Sequence, residues 1–539
     1  MQKLFITLLV VVAGFHAAWA WPGEVIKTLK APAFNSTGIA FDGKNLWVAD
    51  RKSDLIYCVD PTSGAIIRSI EAPAYWPSAL AWNGSHLLSI DTKGGVPLSE
   101  NYNATIYKID PSNGHIVHFT AAPSANTSGV ESDKGRLWSI SPRESKVVMV
   151  NATDGTTIRS FPAPTRSSSA LAYDGTYLWI VDPYNDKLFM VSPDDGTVII
   201  TTETPSPYVR DIAFDGTNLW LADSQTDSLY LVKTRDEHKY RLTNKRELYL
   251  NFTHFTTNFG PGKTTSLDVH IAIPEDRVNQ KIIAKTRFEP AGYEIFNDRW
   301  NQKTAHWHVT DLQSGAHFEA NMYVRADTWD ITYFLFPDQV GSQRDIPEEI
   351  KTLYLADNEK FQLNNPIISN AVKEALGTEE NLYYKARKLY RYVREHIYYE
   401  MVGGWNTAPE VLSRGNGSCS EYSFVYIALC RAAGIPARYV GAVSVRSDQA
   451  RYDDVFHRWV EIYLPNYGWI PVDPSGGDSD SPAHQAAYFG AIKGRYIITT
   501  QSGGGSESLE WTYNANEFTQ TEPKTFVVSE SIGNWDVVK

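Results

Sequence analysis

Cysteine is scarce in this 539-residue sequence, which contains only Cys58, Cys419 and Cys430. Three thiols are an odd number and too few for a disulfide framework, so a small disulfide-stabilised fold is excluded. A surplus of positive charge is also missing, because 50 Lys and Arg stand against 62 Asp and Glu, for a net charge of −12. We therefore expect no nucleic-acid partner.

Long hydrophobic runs are absent after residue 20, so no membrane span is expected in the rest of the chain. The first residues do carry a shorter apolar run, Leu4 to Phe15, between Lys3 and an A-x-A site that ends at Ala20. A core helix here would need caps that are missing, and the run is short for a membrane anchor. The pattern is typical of a secretory signal peptide. We expect residues 1–20 to be removed by cleavage after Ala20, and the protein to be secreted or extracytoplasmic.

The sequence is rich in apolar residues, at 42%, and in aromatic residues, at 13%. This is the composition of a globular protein and excludes a disordered chain. A chain of this length exceeds what one hydrophobic core supports, so several domains are expected. The fold class that the patterns below predict is multidomain, with β and α+β parts.

Five copies of one phrase fill the N-terminal part of the chain. A typical copy reads apolar residue, Ala, aromatic residue, Asp and Gly, and three residues later comes a leucine. These leucines lie at spacings of 41, 50, 41 and 41 residues: Leu46, Leu87, Leu137, Leu178 and Leu219. The extra nine residues of the second copy fall in a predicted loop near 94–103. A period of about 41 residues, built from short strands and turns, is typical of a propeller blade.

The phase of the repeat predicts how a ring of such blades closes. Turn glycines recur in four copies, but the corresponding position of the fifth copy is Glu237, so that copy lacks its last strand. Counting back one period from Gly64 gives Gly23, which precedes an apolar strand at the N-terminus. We therefore predict a five-bladed β-propeller over residues 22–235 whose N-terminal strand completes the fifth blade and covers its edge.

Aspartates also recur near the end of the second strand of four copies: Asp50, Asp91, Asp182 and Asp223. A ligand site would break the repeat rather than follow it. We therefore expect these carboxylates to tie a strand end to the turn that follows. The propeller is accordingly predicted to bind a cell-surface or extracellular ligand, or to act as a spacer, rather than to catalyse a reaction.

Residues 240–340 alternate apolar and polar side chains with a period of two, which predicts a β-sandwich. His306 and His308 share one strand face, and a turn near Gln313-Ser314-Gly315 would place His317 opposite His308. Such a group of imidazoles could hold a metal ion. No cysteine or convincing carboxylate partner accompanies them, so we expect a solvated strand face and assign no metal.

The C-terminal part contains the residues suited to chemistry. A Gly-rich loop, Gly415 to Ser418, leads into a predicted helix of about 15 residues that starts at Cys419 and is capped by Gly434. The free amides and the dipole at a helix N-terminus favour a thiolate, which is the nucleophilic form of cysteine. Cys430 lies roughly 16 Å further along the helix, too far for a disulfide. It is predicted to be a core residue, as is Cys58.

A thiolate nucleophile needs a base and a group that orients the base. The segment from Val455 to Ile462 alternates as a strand, with His457 and Glu461 on one face. The turn Pro465-Asn466-Tyr467-Gly468 precedes a return strand that ends near Asp473. A hairpin centred on this turn brings Asp473 next to His457. Cys419, His457 and Asp473 are therefore the candidate catalytic residues.

Residues 380–475 resemble the core of the transglutaminase-like superfamily, which uses a papain-like arrangement. The matching motifs, in the family's order, are Gly417-Ser418-Cys419, Arg431-Ala432-Ala433-Gly434-Ile435-Pro436-Ala437-Arg438, His457-Arg458-Trp459-Val460-Glu461 and Gly468-Trp469-Ile470-Pro471-Val472-Asp473-Pro474. The resemblance implies that Cys419 is the nucleophile, His457 the general base and acid, and Asp473 the residue that orients His457. It places a papain-like transglutaminase core in a catalytic domain over residues 360–539.

The resemblance also implies acyl transfer from a protein or peptide carboxamide through a thioester. An amine would then complete a cross-link, and water would complete hydrolysis. No cofactor is implied, and no EF-hand loop is present that would suggest control by calcium. A cysteine peptidase or amidase on the same site is the first alternative. A non-catalytic adhesion protein that uses the propeller is the second, and the intact set of Cys419, His457 and Asp473 argues against it.

Overall fold

The structure is a computed structural model that describes residues 21–73, 76–91, 104–401 and 405–536. The expected signal peptide, residues 1–20, lies outside the described residues, as does the predicted loop near 94–103. Within the described ranges, no helix is both long enough and apolar enough to cross a membrane.

Twenty short strands make up the N-terminal part. In chain order they are β1 (Val25–Lys30), β2 (Ser36–Phe41), β3 (Leu46–Asp50), β4 (Leu55–Val59), β5 (Ile66–Glu71), β6 (Pro77–Trp82), β7 (Leu87–Asp91), β8 (Thr105–Ile109), β9 (Ile116–Ala121), β10 (Gly129–Asp133), β11 (Arg136–Ser141), β12 (Lys146–Asn151), β13 (Thr157–Pro162), β14 (Ala170–Tyr173), β15 (Leu178–Asp182), β16 (Lys187–Val191), β17 (Val198–Glu203), β18 (Val209–Phe214), β19 (Leu219–Asp223) and β20 (Ser228–Val232).

These strands form five open, four-stranded antiparallel sheets. Four sheets consist of consecutive strands, β2–β5, β6–β9, β10–β13 and β14–β17, and the fifth has the order β1-β20-β19-β18. The predicted pairing of the N-terminal strand with the last copy is confirmed, because Leu29 of β1 lies opposite Leu229 of β20. The first strands of the sheets contact one another in the cyclic order β2, β6, β10, β14, β18 and back to β2.

Three of the four repeated aspartates stabilise the turns as predicted, and the turn after Asp91 lies outside the described residues. The carboxylate of Asp50 accepts hydrogen bonds from the amides of Lys52 and Ser53, at 3.0 and 2.8 Å. Asp182 and Asp223 accept the equivalent pairs of amides two and three residues further along the chain. Each bond satisfies a backbone donor that the tight turn would otherwise leave without a partner. Their role is therefore structural.

One buried aspartate links three of the repeated sheets. Asp211 of β18 is fully buried, and its Oδ2 accepts hydrogen bonds from the amides of Ile39 on β2 and Leu80 on β6, both at 2.9 Å. A single carboxylate thus joins the first strands of three different copies. This contact is specific to the fifth copy, because the corresponding positions of the other copies hold Gly or Ala.

The middle of the chain forms long strands. They are β21 (Tyr240–Gly260), β22 (Thr264–Ala272), β23 (Gln280–Ile282), β24 (Arg287–Glu289), β25 (Glu294–Asn297), β26 (Lys303–Leu312) and β27 (His317–Tyr333). The alternating side chains of β22 and β27 bury one face, including Leu267, Val269, Ala320 and Met322.

The C-terminal part contains helices and further strands. The helices are α1 (Glu348–Tyr354), α2 (Pro366–Leu376), α3 (Leu382–His396), α4 (Ala408–Arg414), α5 (Cys419–Ala432) and α6 (Pro482–Ala486), and two short 3-10 helices span Pro337–Gln339 and Gln343–Asp345. The strands are β28 (Tyr398–Tyr399), β29 (Asn416–Gly417), β30 (Ala437–Ser444), β31 (Tyr452–Asp453), β32 (His457–Leu464), β33 (Gly468–Val472), β34 (Ala491–Ile492), β35 (Tyr496–Ser502), β36 (Ala515–Thr521) and β37 (Phe526–Trp535).

Two sheets built on the middle strands require a correction of the expected domain limits. One has the order β23-β27-β21-β37-β31, and the other β25-β26-β22-β36. Strands β36 and β37, expected within the catalytic domain of residues 360–539, pair instead with β22 and β21. The C-terminal strands β36 and β37 thus each add to a different one of these two sheets.

The histidines of this region do not form the arrangement that the sequence suggested. His308 lies on β26 and His317 on β27, and these strands belong to different sheets, so the two imidazoles do not face each other. His306 and His308 instead both contact Oδ1 of Asp268, each at 2.8 Å. Over the described part of the chain, no group of three or more His, Cys, Asp or Glu could hold a metal ion.

The helix α5 is the centre of the C-terminal core. It packs against β30 and β32 of a four-stranded sheet with the order β33-β32-β30-β35, and against α2, α3 and α4. Its predicted end is confirmed, because the chain leaves the helix at Gly434, which has a φ of 80°. Side chains around the whole helix are buried, from Cys419 to Arg431. A helix surrounded in this way holds its first residue in a fixed position.

One of the repeated sheets supports this core. Helix α6 packs on the outer strand β17, and the guanidinium of Arg387 in α3 donates to the carbonyl oxygen of Val198 at 3.1 Å. Ile199 of β17 is consequently only 7% exposed. The equivalent residues of the other four copies are 46 to 56% exposed: Ile26, Ile67, Val117 and Ile158. The core therefore covers a single copy of the repeat.

Candidate active site

Cys419 is the first residue of α5, and the sequence around it explains why the helix starts there. Ser418 is the N-cap, and its amide donates to Oε2 of Glu421 at 3.1 Å, which satisfies a donor that the helix leaves free. Gly417, the residue before Ser418, lies so close to Glu421 that a side chain at position 417 would crowd the carboxylate. The cysteine is 9% exposed.

Glu421 holds the loop in front of the nucleophile. Its carboxylate is fully buried and also accepts the amide of Asn406 at 3.1 Å and the guanidinium of Arg414 at 3.0 Å. A buried carboxylate is stable only when such donors surround it. Sequence reasoning missed this residue, although the Ser-x-x-Glu spacing from Ser418 to Glu421 is a recognisable helix-start signal.

His457 and Asp473 meet as the hairpin predicted. His457 is the first residue of β32, and Asp473 follows the last residue of β33. The imidazole Nε2 donates to Oδ2 of Asp473 at 2.7 Å. Since a carboxylate can only accept, Nε2 carries the hydrogen, and Nδ1 is the nitrogen left to exchange a proton with a thiol.

The second oxygen of Asp473 is held by its own loop. Oδ1 accepts the amides of Ser475 and Gly476, at 3.1 and 2.9 Å, and the hydroxyl of Ser475 at 2.8 Å. A side chain at Gly476 would clash with the ring of Tyr488. Only glycine therefore allows the loop to close around the carboxylate, which fixes the direction of its other oxygen toward His457.

The three residues shift one another's ionisation. Burial alone would raise the pKa of the Cys419 thiol, but hydrogen bonds and positive charge from His457, with help from Arg458, outweigh it and lower the pKa. Burial likewise disfavours the imidazolium, but Asp473 and Cys419 raise the pKa of His457. The pKa of Asp473 is lowered because the attraction of His457 and its hydrogen bonds exceed the effect of burial. The arrangement favours a thiolate beside an imidazolium.

The segment before His457 connects the site to the sheet that contains β21 and β37. Strand β31 pairs with β37, and the carboxylate of Asp453 accepts the amide of Ser444 at 2.7 Å and Nε of Arg446 at 2.9 Å. Phe456 has a φ of 60°, an unusual value for a bulky residue. Its ring contacts Phe252 at a centroid distance of 5.7 Å, which holds the turn from which His457 emerges.

Cys419 opens onto a cleft of about 710 Å³ between the core and the two sheets built on β21 and β22. One wall comes from the core and includes Tyr399, Trp405 and Tyr513. The other wall comes from those two sheets and the segment before His457, and it carries ionisable side chains: His254, Asp454, Glu517 and Glu530. Sequence reasoning missed this wall, because its strands lie far from Cys419 in the chain.

The polar wall is organised by one carboxylate. Glu517 accepts a hydrogen bond from Thr256, and its Oε2 lies 3.2 Å from Nε2 of His254. Nδ1 of the same imidazole lies 2.8 Å from the hydroxyl of Ser531. These contacts connect β21, β36 and β37, so the wall depends on the two C-terminal strands. No residue set around the cleft is arranged as a metal site in the part of the chain that the structure describes.

Comparison with protein families identifies the core around these residues. Residues 370–474 match the model of the transglutaminase-like superfamily. The match begins in α2 and ends just after Asp473, so it includes Cys419, His457 and Asp473. It covers about a fifth of the chain. The repeated sheets and most strands of the two sheets built on β21 and β22 lie outside it.

Several curated bacterial proteins of uncharacterised function are similar to parts of the chain. YebA of Bacillus subtilis is 35% identical over 71 residues, 11% of this chain and 10% of the relative. A protein of Haemophilus influenzae is 29% identical over 156 residues, which is 24% of this chain and 42% of the relative. The chain thus spans less than half of either relative. Rv2569c of Mycobacterium tuberculosis is 23% identical over 264 residues, 44% of this chain and 79% of the relative.

A solved structure from Cytophaga hutchinsonii, provisionally named a cysteine protease, is also similar to part of the chain. The identity is 15%, the TM-score is 0.38, and the match covers 55% of this chain and all of the other.

Proposed function

We propose that the protein is an exported, thiol-dependent acyl-transfer enzyme of the transglutaminase-like kind. The observation that carries this proposal is the placement of Cys419 at a helix start beside the His457–Asp473 pair, whose Nε2–Oδ2 distance is 2.7 Å. Export rests on the signal-peptide pattern of residues 1–20. The substrate is a protein or peptide carboxamide.

The chemistry follows from the ionised pair. The thiolate of Cys419 attacks the carbonyl carbon of the carboxamide and forms a C–S bond, and amides at the start of α5 stabilise the oxyanion. His457 donates its proton to the departing nitrogen, the C–N bond breaks, and ammonia or an amine leaves a thioester. An incoming amine or water then gives its proton to His457 and attacks the thioester, the C–S bond breaks, and the Cys419 thiolate is released. Asp473 keeps the imidazole in the required orientation throughout.

The charge of the cleft favours one class of substrate. Its described lining contains the carboxylates of Asp454, Glu517 and Glu530 and no Lys or Arg. Opposite charge attracts within such a cleft, and His254 is the only basic side chain that opposes it there. We therefore propose that a positively charged group, such as a lysine side chain of a protein or peptide, binds along this wall.

The five repeated sheets form, in this proposal, a five-bladed propeller over residues 22–235, followed by the sandwich and the catalytic core. The cyclic contacts of β2, β6, β10, β14 and β18 support the ring. The pairing of β1 with β20 supports its closure. The propeller binds an extracellular or cell-surface ligand or holds the catalytic core at a distance from that surface.

The test uses the full chain with a glutamine-containing peptide and a labelled primary amine. Wild type, Cys419→Ala and the matched control Cys58→Ala are compared by mass spectrometry and by ammonia release. Amine incorporation that requires Cys419 supports acyl transfer, and ammonia release without incorporation supports an amidase. Cleavage of the peptide chain instead would indicate a cysteine peptidase. No difference between wild type and Cys419→Ala in any readout would overturn catalysis at this site.

A further inference from the structure

Arg458, which follows His457 on β32, is an unusual buried arginine. Its side chain is fully buried, and Nη2 donates to the carbonyl oxygen of Trp511 at 2.5 Å. Nε and Nη1 have no hydrogen-bond partner within the described part of the chain. Four aromatic rings surround the guanidinium at centroid distances of 4.4 to 5.2 Å: Trp405, Phe424, Tyr439 and Tyr513.

Two neighbouring arginines show what a satisfied buried guanidinium looks like in this fold. Arg438 on β30 donates through Nε and Nη2 to one oxygen of Glu461, at 2.9 and 2.7 Å. Arg431 in α5 donates through all three nitrogens to backbone carbonyl oxygens at 2.6 to 3.1 Å. Arg458 has neither a carboxylate nor a set of carbonyls among the described residues. A buried charge without a partner is costly, so its retention calls for an anion nearby.

The anion that the fold provides is the sulfur of Cys419. Two of the rings around the guanidinium, Trp405 and Tyr513, line the same cleft as Cys419, and the amide and positive charge of Arg458 both lower the pKa of the Cys419 thiol. In the reverse direction, burial lowers the pKa of Arg458, and the groups that oppose this effect are Tyr439, Tyr513 and Cys419. Neither tyrosine is ionised at neutral pH, because burial raises the pKa of both. The thiolate is therefore the remaining negative charge among these groups.

We propose that Arg458 is a positioning residue whose buried guanidinium is a second, permanent counter-charge for the Cys419 thiolate. The proposal rests on the proposed role of Cys419 as nucleophile. The aromatic rings exclude water from the guanidinium, so its charge acts on the sulfur with little screening. Unlike the imidazolium, the guanidinium keeps its proton through the reaction. The thiolate that is regenerated at the end of a turnover is thus stabilised by the guanidinium in addition to the imidazolium of His457.

The charged and titratable groups around the sulfur define what the test must separate. His457 and Arg458 face it from β32, Tyr399 from β28, and Tyr513 from the segment before β36. Asp473 acts on it through His457. Removal of Arg458 alone takes away a positive charge and leaves all of these groups in place.

The experiment measures the pKa of the thiol directly, by the pH dependence of Cys419 alkylation in the full chain. Iodoacetamide is the probe, and the modified peptide is quantified by mass spectrometry. Cys58 and Cys430 serve as internal controls because both are buried. Arg458→Met is expected to raise the thiol pKa by about one unit, which is a tenfold loss of thiolate on the acid side. Arg458→Lys, which keeps the charge, is expected to restore most of the wild-type rate.

Arg438→Met is the matched control, because it removes a buried arginine whose charge is already paired with Glu461. It is expected to lower the melting temperature without moving the alkylation profile. The proposal is overturned if Arg458→Met leaves the profile unchanged or shifts it no more than Arg438→Met does. Should Arg458→Met fail to fold, Arg458→Gln, which removes the charge but keeps a polar side chain, gives the second reading. Its alkylation profile shifts to a higher thiol pKa if Arg458 acts on the sulfur, and an unchanged profile overturns the proposal.

The outcome also separates this proposal from the proposed function. If Arg458→Met shifts the thiol pKa but no carboxamide is turned over by the wild type, the electrostatic role stands and the acyl-transfer proposal fails. If turnover requires Cys419 but the alkylation profile ignores Arg458, the reverse holds.

Discussion

The repeated sheets and the catalytic core both contain buried aspartates, but they use them differently. In the repeats, Asp50 and Asp182 accept amides from residues two and three positions further along the chain. In the core, Asp473 divides its oxygens between its own loop and His457, which lies 16 residues away. The other oxygens of Asp50 and Asp182 accept from the amide of Asn35 and the hydroxyl of Thr165, groups that carry no charge near neutral pH, so these two carboxylates only hold the backbone in place. A carboxylate that holds a titratable partner from another strand sets that partner's orientation and charge.

The cysteines show the same contrast. Burial raises the pKa of Cys58 in the repeats and of Cys430 in the middle of α5. Cys419 is buried as well, yet its pKa is lowered because His457 and Arg458 outweigh burial. The three residues are chemically identical, so the neighbours alone decide which thiol becomes reactive.

The largest effect is expected from removal of the reactive thiol. Cys419→Ala is expected to abolish acyl transfer, a loss of at least about 1,000-fold, because no other group can form the thioester. Cys430→Ala is the matched control, because it is the same substitution in the same helix. It is expected to keep turnover while lowering the melting temperature. Initial rates of ammonia release and thermal melts on both variants check this. Retained turnover in Cys419→Ala would remove the thiol from the mechanism.

Replacing one aspartate of each kind by asparagine gives the next largest expected effect. Asp473→Asn is expected to lower kcat/KM by about 100-fold or more, because the amide no longer stabilises the imidazolium. Asp182→Asn is expected to leave kcat/KM unchanged and to cost about 1–2 kcal/mol of unfolding free energy, because it weakens hydrogen bonds to a charged acceptor. Steady-state kinetics and urea unfolding separate the two. Equal effects of both changes on kcat/KM would contradict the distinction.

The two regions are also expected to respond to different ranges of pH. Because the pKa of the Cys419 thiol is lowered, the acid limb of the activity profile should have its midpoint below the ordinary thiol pKa of about 8.5. Because the pKa of His457 is raised, activity should fall only well above the ordinary imidazole value of about 6.5.

The repeat aspartates titrate elsewhere. The pKa of Asp182 is lowered, since hydrogen bonds from Asn185 and Thr165 outweigh burial. Its stabilising effect is therefore present above the ordinary value of about 4 and is lost as the pH falls through the folded value. A pH profile of kcat/KM beside urea unfolding between pH 3 and pH 10 tests both expectations. An alkaline limb at or below pH 6.5 would contradict the raised pKa of His457.

The smallest expected effect concerns the wall of the cleft. Glu517→Gln should lower kcat/KM for a lysine-containing substrate by about fivefold and leave a neutral analogue almost unaffected, because a partly exposed charge contributes little. Glu319→Gln, an exposed carboxylate on β27 outside the cleft, is the control. Equal losses with charged and neutral substrates would show that Glu517 supports the wall rather than attracting a cation.

Local patterns explain which features could be predicted from the sequence. The repeat strands, the start of α5 at Cys419 and the hairpin that joins His457 to Asp473 all depend on residues close together in the chain. The pairing of β36 with β22 joins residues about 250 positions apart, and no local pattern encodes it. The missing partners of Arg458 are likewise invisible in the sequence, because they depend on which side chains are absent around the guanidinium.

The pairing of the first strand with the last repeat has a consequence for the order in which the chain folds. Lys30 lies opposite Ser228, so β1 has no partner until almost the whole repeat region has been synthesised. Domains fold during synthesis as their parts emerge, and the earlier sheets are each made of consecutive strands. The N-terminal strand therefore stays unpaired until β20 is available, and the pairing of β1 with β20 is the step that completes the folding of the repeats. A substitution that weakens β1 should accordingly slow the completion of folding more than the formation of the other four sheets.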